Sequence, residues 1–191
     1  GTRGMIINMN EDGTALFTSG AARNMGGPSA QQAIMAEVIG LRYEDIRCGD
    51  WGNTDVSSEG GNQGGSTLTI SIGAATMKAA EDVRAQLFAV AAGTATGMLK
   101  TTPDALDAKN GQIFLKADPT KFVTHRAVMG AIAQPIIGKG VMWNPSLRKP
   151  VGNYKVGETG VHRTGTASAA EVAVDPETGL VEVINFASAV D

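Results

Sequence analysis

The sequence has one cysteine, Cys48, and two histidines, His125 and His162, among its 191 residues. A single thiol excludes an internal disulfide and any metal site built from several thiolates. The two histidines share no short metal-binding spacing, and no acidic cluster accompanies them. We therefore predict no metal ligand in this chain, histidines that are structural or solvent-exposed, and a buried, inert thiol rather than a nucleophile at Cys48.

Long apolar runs and clusters of one charge are also missing. No apolar run approaches the ~18 residues that a membrane-spanning helix needs, and no signal-peptide pattern opens the chain. The formal net charge is −3 without any basic block, which argues against a nucleic-acid surface and against binding to anionic membranes. Together with the single cysteine, these absences favour a cytoplasmic protein.

Aromatic residues are scarce at 5%, whereas glycine is abundant, with 25 residues. That is about 13% of the chain against a usual ~7%. Hydrophobic residues make up 42% and charged residues 18%, so the chain can bury a core. The glycines are not periodic but fall in clusters, where they allow a backbone to approach a ligand closely.

The first half of the chain alternates between short strands and helices. Residues 4–9 and 14–19 indicate a hairpin around the turn at 10–13. Pro28 suits a helix start and Gly40 a helix stop, and 45–48 is a possible strand. A polar loop, 50–65, precedes a long helix from Ser66. The predicted buried faces of the two helices are Ala30, Ile34, Val38 and Leu41 in the first, and Ile70, Ala74, Met77, Val83 and Leu87 in the second.

The second half predicts a strand at 112–116, a strand end and short helix over 122–132, and mostly loop over 138–165. A final hairpin spans 170–183, because alternating apolar residues flank the tight turn at 175–179. The pattern shows no repeated βαβ unit and no internal repeat. The predicted fold class is α+β.

The most informative local pattern is the glycine-rich run 60–65 before Ser66 and Thr67. Exposed backbone N–H groups that lead into a helix N-terminus form an anion site. The phosphate-loop lysine is absent, so nucleotide hydrolysis is not indicated. The alternative is a surface loop whose Ser66 only caps the helix. The loop 24–27 precedes the other helix, and it is either a second wall of the same site or a simple turn.

Four segments, in order, resemble the molybdenum-cofactor-binding subunit of the xanthine oxidase family. EDGTALFTSG resembles that family's first strand, and NMGGPSAQQAIMAEVIGL its first cofactor loop and helix. NTDVSSEGGNQGGSTLTISIGAATMKAA is similar to its second loop and helix, and AAEVAVDPETGLVEVINFASAVD to a later segment of the form aEVEVDPeTGeV. The resemblance spans nearly the whole chain and implies part of a molybdopterin-binding domain.

The resemblance also implies which residues contact the cofactor. Residues that match the second loop line the pterin, and residues that match the first loop run beside the molybdenum ligands. The implied cofactor-binding residues are Met25, Gly26, Gly27, Gly64, Gly65, Ser66, Thr67 and Thr69.

Two departures from the family pattern matter. The glutamine that in the family approaches an oxygen ligand of molybdenum has no counterpart, because Met25 or Gly26 takes its place. The chain also begins near the middle of the family's subunit and ends at Asp191, before the family's general-base glutamate. We therefore expect residues 1–191 to be one piece of a split large subunit, with no catalytic base of its own.

The resemblance implies a molybdenum hydroxylase that oxidatively hydroxylates a small organic substrate with water. The cofactor would be molybdopterin, with its cytosine dinucleotide form as one alternative. Iron–sulfur clusters and FAD are expected on partner subunits, beside the other pieces of the molybdenum subunit. Two alternatives stay open: a non-catalytic scaffold subunit whose cofactor is held by another chain, and a generic module that binds a phosphate-bearing ligand.

Overall fold

The structure is a computed structural model that describes residues 2–20, 27–50, 53, 55–57, 60, 68–93, 98–143 and 165–190. The chain divides into two units, Gly1–Pro150 and Val151–Asp191. Helices and sheets occur together in the first unit, and a hairpin occurs in the second, so the predicted α+β class is confirmed. Within these described ranges, no helix combines the length and apolarity needed to cross a membrane.

The first unit has two sheets and three α-helices in its described part. One sheet has the strand order β3-β2-β1-β7, and the other is the meander β4-β5-β6. The elements are β1 (Thr2–Met9), β2 (Ala15–Ser19), α1 (Gly27–Met35), β3 (Ile46–Cys48), α2 (Leu68–Ala92), β4 (Leu106–Lys109), β5 (Gln112–Leu115), β6 (Asp118–Thr124), α3 (His125–Gly130) and β7 (Ile137–Trp143).

The predicted first hairpin is confirmed. β1 pairs antiparallel with β2, from Met5 opposite Ser19 to Met9 opposite Ala15. The Oδ1 atom of Asp12 accepts hydrogen bonds from the backbone N–H of Thr14 at 2.9 Å and from its hydroxyl at 2.6 Å, which closes the turn. The predicted strand near 45–48 is also present as β3, which pairs parallel with β2. Cys48 at its end is half-buried rather than buried.

The prediction of loop over 138–165 is wrong for its first residues, because they form the edge strand β7, which pairs antiparallel with β1. The sequence pattern does not indicate this strand, because glycines occupy two of its inward-facing positions. A Cβ atom at Gly138 would lie against the carbonyl oxygen of Ala79, and one at Gly140 against that of Ala75. The strand therefore packs directly on the backbone of α2 at Gly138 and Gly140, and Met142, the next residue on that face, is only half-buried. Residues 144–164 lie outside the described ranges.

Polar side chains of α2 bind the backbone of β7. Lys78 donates to the carbonyl oxygen of Val141 at 3.3 Å, and Gln86 donates to that of Ile137 at 2.9 Å. The Oδ2 atom of Asp82 accepts from the N–H of Lys139 at 3.1 Å. Side chains spaced four residues apart share one helix face, so this stripe satisfies backbone groups at an otherwise open sheet edge.

The buried face of α2 differs from the prediction at Met77, which is 46% exposed, next to Lys78 on the polar stripe. The side of α2 that packs on β7 has small residues instead of Met77, because the strand approaches the helix backbone closely. The buried side of α2 includes Ile72, Ala75, Thr76, Ala79, Ala80, Val83, Leu87 and Phe88.

The predicted helix from Pro28 is present as α1, which continues as a π-helical turn, Ala36–Gly40. Of its predicted face, Leu41 is buried as expected, but Ala30, Ile34 and Val38 are only half-buried. The buried residues recur every four positions instead. They are Gly27, Gln31, Met35 and Ile39.

Three different elements bind the carbonyl groups at the end of the π-helical turn. Arg84 donates to the carbonyl oxygen of Val38 at 2.8 Å, and the Nε2–H group of His125 donates to that of Ile39 at 3.1 Å. The N–H of Gly111 donates to the carbonyl oxygen of Gly40 at 2.8 Å. Gly40 has φ of +80° and so ends the helix in the left-handed conformation typical of a helix stop.

The second unit is a two-stranded hairpin of β8 (Thr166–Val174) and β9 (Val181–Val190), which confirms the predicted terminal hairpin. Its turn is tight, because the N–H of Gly179 donates to the carbonyl oxygen of Asp175 at 2.8 Å and Gly179 has φ of +74°. All described side chains of the hairpin are exposed. The register places one apolar set on a single face: Val172, Val174, Val181, Val183, Phe186 and Val190.

We predict that Gly140→Ala destabilises the first unit by about 3 kcal/mol, because the new methyl group has no space against the α2 backbone. Denaturant unfolding of the variant measures this loss. Gly130→Ala is the matched control, because a Cβ at Gly130 meets nothing within 4 Å. Equal stability of the two variants would contradict the close packing of α2 on β7.

We predict an acid-sensitive contribution from His125. Burial lowers the pKa of its imidazole below the ordinary 6.5. Below pH 6.5 the imidazole binds a proton more readily in the unfolded chain than in the folded one. The contribution of His125 to the unfolding free energy is therefore fully present above about pH 6.5 and falls as the pH drops. His125→Gln keeps an N–H donor for Ile39 but cannot titrate. Its unfolding free energy should therefore depend less on pH between 5 and 7, and an unchanged pH profile would contradict this.

Candidate functional site

The N-terminal ends of α1 and α2 lie beside each other. A Cβ at Gly73, in the second turn of α2, would meet the Cδ1 atom of Ile34 on α1 at 3.1 Å. A narrow crevice, too tight to admit a water molecule, lies between the two helices, with Gly27 at the first position of α1 and Leu68 at the first position of α2. The remaining lining residues are Ala30, Gln31, Ile34, Thr69, Ile72 and Gly73.

Two of the eight residues predicted to bind cofactor can be placed. Gly27 and Thr69 line this one crevice, although 42 positions separate them in the sequence (69 − 27). Gly27 is buried, whereas Thr69 is exposed in the first turn of α2. The other six, Met25, Gly26, Gly64, Gly65, Ser66 and Thr67, lie outside the described residues.

The electrostatics of this end favour an anionic or strongly polar ligand. The first turn of a helix has backbone N–H groups without partners in the helix, and the helix dipole places partial positive charge there. Neither α1 nor α2 has an acidic residue in its first turn to offset that charge. Two such ends side by side form a site for phosphate or carbonyl oxygens.

Gln31 is a buried polar residue of this crevice that the sequence reasoning missed. Its side chain is 2% exposed, and within the described structure neither its Nε2 nor its Oε1 atom has a hydrogen-bond partner. An unpaired buried amide costs about 1–3 kcal/mol. The signal available in the sequence is a polar residue inside a four-residue repeat of otherwise buried positions.

The neighbouring Gln32 shows the opposite behaviour. Its Nε2 atom donates to the carbonyl oxygen of Ile46 at 2.6 Å, and its Oε1 atom accepts from the Tyr43 hydroxyl at 3.2 Å. Gln32 therefore fastens α1 to the start of β3. The Gln32 amide thus forms hydrogen bonds within the fold, whereas the adjacent Gln31 amide has no hydrogen-bond partner in the described structure.

A larger cleft of about 720 Å³ lies at the other end of α1, near the π-helical turn. Its wall includes Arg84, which pairs with Asp107 at 2.7 Å and lies 4.6 Å from the ring centre of Phe88. Burial opposes ionisation of Asp107, but hydrogen bonds from Arg84 and from the N–H of Ala108 lower its pKa overall. Because the structure already satisfies these charged groups, the helix N-termini are the better candidate site.

The described histidine does not belong to the candidate site. His125 lies with the carbonyl oxygen of Ile39 at the far end of the helix pair, as a structural histidine. His162 lies outside the described residues. Within the described part of the chain, no group of three or more His, Cys, Asp or Glu side chains could hold a metal ion.

Solved structures with the same fold cover 98% of this chain. Cu,Mo-CO dehydrogenase in its carbon-monoxide-reduced state has 22% identity and a TM-score of 0.67, over 22% of its own length. Quinoline 2-oxidoreductase from Pseudomonas putida 86 has 17% identity and a TM-score of 0.68, over 23% of its length. Reconstituted CO dehydrogenase from Oligotropha carboxidovorans has 22% identity and a TM-score of 0.68, over 22% of its length. This chain thus spans less than a quarter of each neighbour.

The comparison with curated proteins gives no match. A family model described as a molybdopterin cofactor-binding domain matches residues 1–191. The match covers both helix N-termini and the terminal hairpin, the segments on which the sequence resemblance rests. The chain therefore belongs to the molybdopterin cofactor-binding domain family.

Proposed function

We propose that this chain supplies one part of the cofactor-binding domain of a molybdenum hydroxylase that acts on a small organic substrate. The observation that carries the proposal is the convergence of the α1 and α2 N-termini, which brings Gly27 and Thr69 into one crevice. The first turns of two helices and the exposed hydroxyl of Thr69 lie at this end, and helix N-termini suit a polar, phosphate-bearing ligand.

The eight predicted contact residues fall into two groups in this proposal. Met25, Gly26 and Gly27 lead up to the start of α1 in the sequence, and their backbone N–H groups would bind the cofactor. The second group leads into α2, where glycines allow close approach and hydroxyls donate hydrogen bonds. It consists of Gly64, Gly65, Ser66, Thr67 and Thr69.

When bound, the molybdenum cofactor supplies a two-electron oxidation in which a substrate C–H group and water become C–OH, two protons and two electrons. The described residues of the crevice have no titratable side chain, so their role is to bind and orient. We assign the general base to another chain or segment. Electrons leave through iron–sulfur clusters and FAD on partner subunits in this proposal.

The exposed hairpin supports a role for this chain as one piece of a larger molybdenum subunit. In this proposal residues 1–191 form part of the molybdopterin-binding domain of that subunit. Phe186 is 67% exposed, and the five valines on its face are exposed as well. An isolated two-stranded hairpin is at best marginally stable in water. We therefore propose that other pieces of the molybdenum subunit cover this face.

A scaffold role without cofactor is the second candidate. It is favoured by the sequence at Met25 and Gly26, where the family's glutamine is replaced. Metal and pterin analysis of the purified complex distinguishes the two functions, because a scaffold chain would leave cofactor content unchanged when its own crevice is altered.

We predict that Thr69→Val lowers the molybdopterin content of the complete protein several-fold. The change keeps the side-chain shape but removes a hydroxyl donor, and a hydrogen bond to a charged group contributes about 1.5–3 kcal/mol. Pterin fluorescence after oxidation and metal analysis measure the content.

Thr101→Val is the control for Thr69→Val. The N–H of Thr101 donates to the carbonyl oxygen of Ala92, at the other end of α2. That end is roughly 35 Å from Thr69 at 1.5 Å per residue. Cofactor content as high in the Thr69 variant as in the control would argue for the scaffold role.

We predict that the double replacement Val183→Thr and Phe186→Thr makes the isolated chain less prone to aggregate and weakens its assembly with the rest of the subunit. The lost apolar burial is worth roughly 3 kcal/mol. Sedimentation of the isolated chain and co-purification of the complex measure the two effects. Ala187→Thr, on the other face of the hairpin, is the control, and unimpaired assembly of the double variant would contradict the proposed interface.

A further inference from the structure

We propose that the cleft of about 720 Å³ beside the π-helical turn is a docking site for a polypeptide segment from another piece of the molybdenum subunit. The segment presents a large apolar side chain, with one acidic and one basic side chain beside it. The inference rests on the proposed function for the identity of the partner. It adds an interaction surface in the first unit, separate from the apolar face of the hairpin.

Small residues form one part of the cleft lining. Ala33 of α1 and Ala36 of the π-helical turn line it, together with Gly40 and Ala108. The last two are in direct contact, since a Cβ atom at Gly40 would lie 2.5 Å from the Cβ of Ala108. Small side chains leave this space unfilled, whereas protein interiors and the centres of interfaces are close-packed. A bulky apolar side chain of a partner therefore has room here.

Aromatic side chains border the cleft, although they make up only 5% of the chain. Tyr43 and Phe114 line it, and Tyr43 is 44% exposed. Phe114 lies opposite Phe122 in the β5–β6 pair, so the two rings share one face of the small sheet, and Phe122 is 45% exposed. Aromatic residues are enriched in the buried centres of protein–protein interfaces. Three rings on one surface therefore favour a polypeptide as the occupant.

The charged side chains of the cleft select the chemistry of that segment. Arg42 and Arg84 each pair with an aspartate of the same chain, at 2.8 Å and 2.7 Å. Glu37 and Lys109 also line the cleft, and both are exposed. Among the described residues neither of these two forms an ion pair. One negative and one positive group are thus left for a partner, which fits a segment with both signs of charge rather than a phosphate or a metal ion.

The solved structures with this fold indicate where such a segment comes from. Each neighbour shares the fold over only 22% or 23% of its own chain. More than three quarters of each neighbouring chain therefore lies outside the shared fold and is available to cover its surfaces. On this ground we assign the cleft to the remainder of the molybdenum subunit rather than to a second copy of this chain.

A second surface cleft is the weaker candidate. It has a volume of about 500 Å³ and lies between α2 and residues 132–136. Val90, Ile132 and Pro135 are among its lining residues, and no charged side chain lines it. Nothing in this cleft therefore selects one partner over another.

The test replaces Ala33, an exposed residue of α1 that lines the cleft, with arginine in the complete protein and its natural partner chains. Arginine has a high helix propensity, so the helix tolerates it at an exposed position, but its side chain fills the space meant for the partner. Ala85→Arg is the matched control, because Ala85 is exposed on α2 and does not line the cleft. The measurements are the dissociation constant for the rest of the molybdenum subunit and the helix content by circular dichroism.

For Ala33→Arg we expect wild-type helix content and binding that is at least about tenfold weaker. For Ala85→Arg we expect wild-type values of both. Lys109→Glu provides a second test should Ala33→Arg fail to fold. It reverses one charge at the edge of the cleft, so binding should weaken about fivefold at low salt and less at high salt. A photoreactive benzophenone side chain at position 33 should form a cross-link to a peptide of another piece of the molybdenum subunit.

Three results would overturn the inference. The first is binding by Ala33→Arg and Lys109→Glu that equals that of Ala85→Arg. The second is a cross-link from position 33 to a small molecule, and the third is a cross-link to a second copy of this chain or to an iron–sulfur or flavin subunit.

Cofactor content separates this inference from the proposed function. If Thr69→Val lowers the molybdopterin content but the cleft variants assemble normally, only the docking inference fails. If the cleft variants lose assembly but Thr69→Val leaves the molybdopterin content unchanged, the proposed cofactor contacts fail and the docking site stands.

Discussion

The guanidinium of Arg84 is the contact on which the arrangement of α1 and α2 depends. It reaches from the middle of α2 to the Val38 carbonyl oxygen at 2.8 Å and to Asp107 at 2.7 Å. A cation at a helix C-terminus is favourable, because it opposes the partial negative charge there. One side chain thus joins the end of α1, the long helix and the small sheet.

With the C-terminal end of α1 fixed in this way, the direction of the helix decides where its N-terminus lies. Midway between Gly27 and Gly40, Gly73 lets Ile34 come close, which holds α1 against α2. α2 in turn has little freedom, because Gly138 and Gly140 of β7 pack on its backbone. The placement of the helices is therefore a consequence of close backbone packing on one side of α2 and of one half-buried cation on the other.

Local patterns in the sequence predicted both hairpins, the helix from Pro28 to Gly40 and the long second helix, because turns, helix stops and alternation are local properties. The sequence pattern gave wrong predictions where tertiary contacts determine which residues are buried. β7 was missed because its buried positions are glycines, and Met77 was placed in the core although α2 turns that side to the polar stripe. For the candidate site, Gly27 and Thr69 meet in one crevice, but Gln31 could not be found, because a polar residue inside an apolar face lowers the predicted burial of its own position.

The two ends of α1 are treated differently by the fold. At the C-terminal end, three carbonyl groups have partners from Arg84, His125 and Gly111. At the N-terminal end, the Gln31 amide has none in the described structure, and no acidic residue in the first turn offsets the helix dipole. Hydrogen-bonding capacity left unused in a buried place lowers stability, so selection for stability alone would remove it. The N-terminal end of α1 is therefore where we place the proposed cofactor contacts.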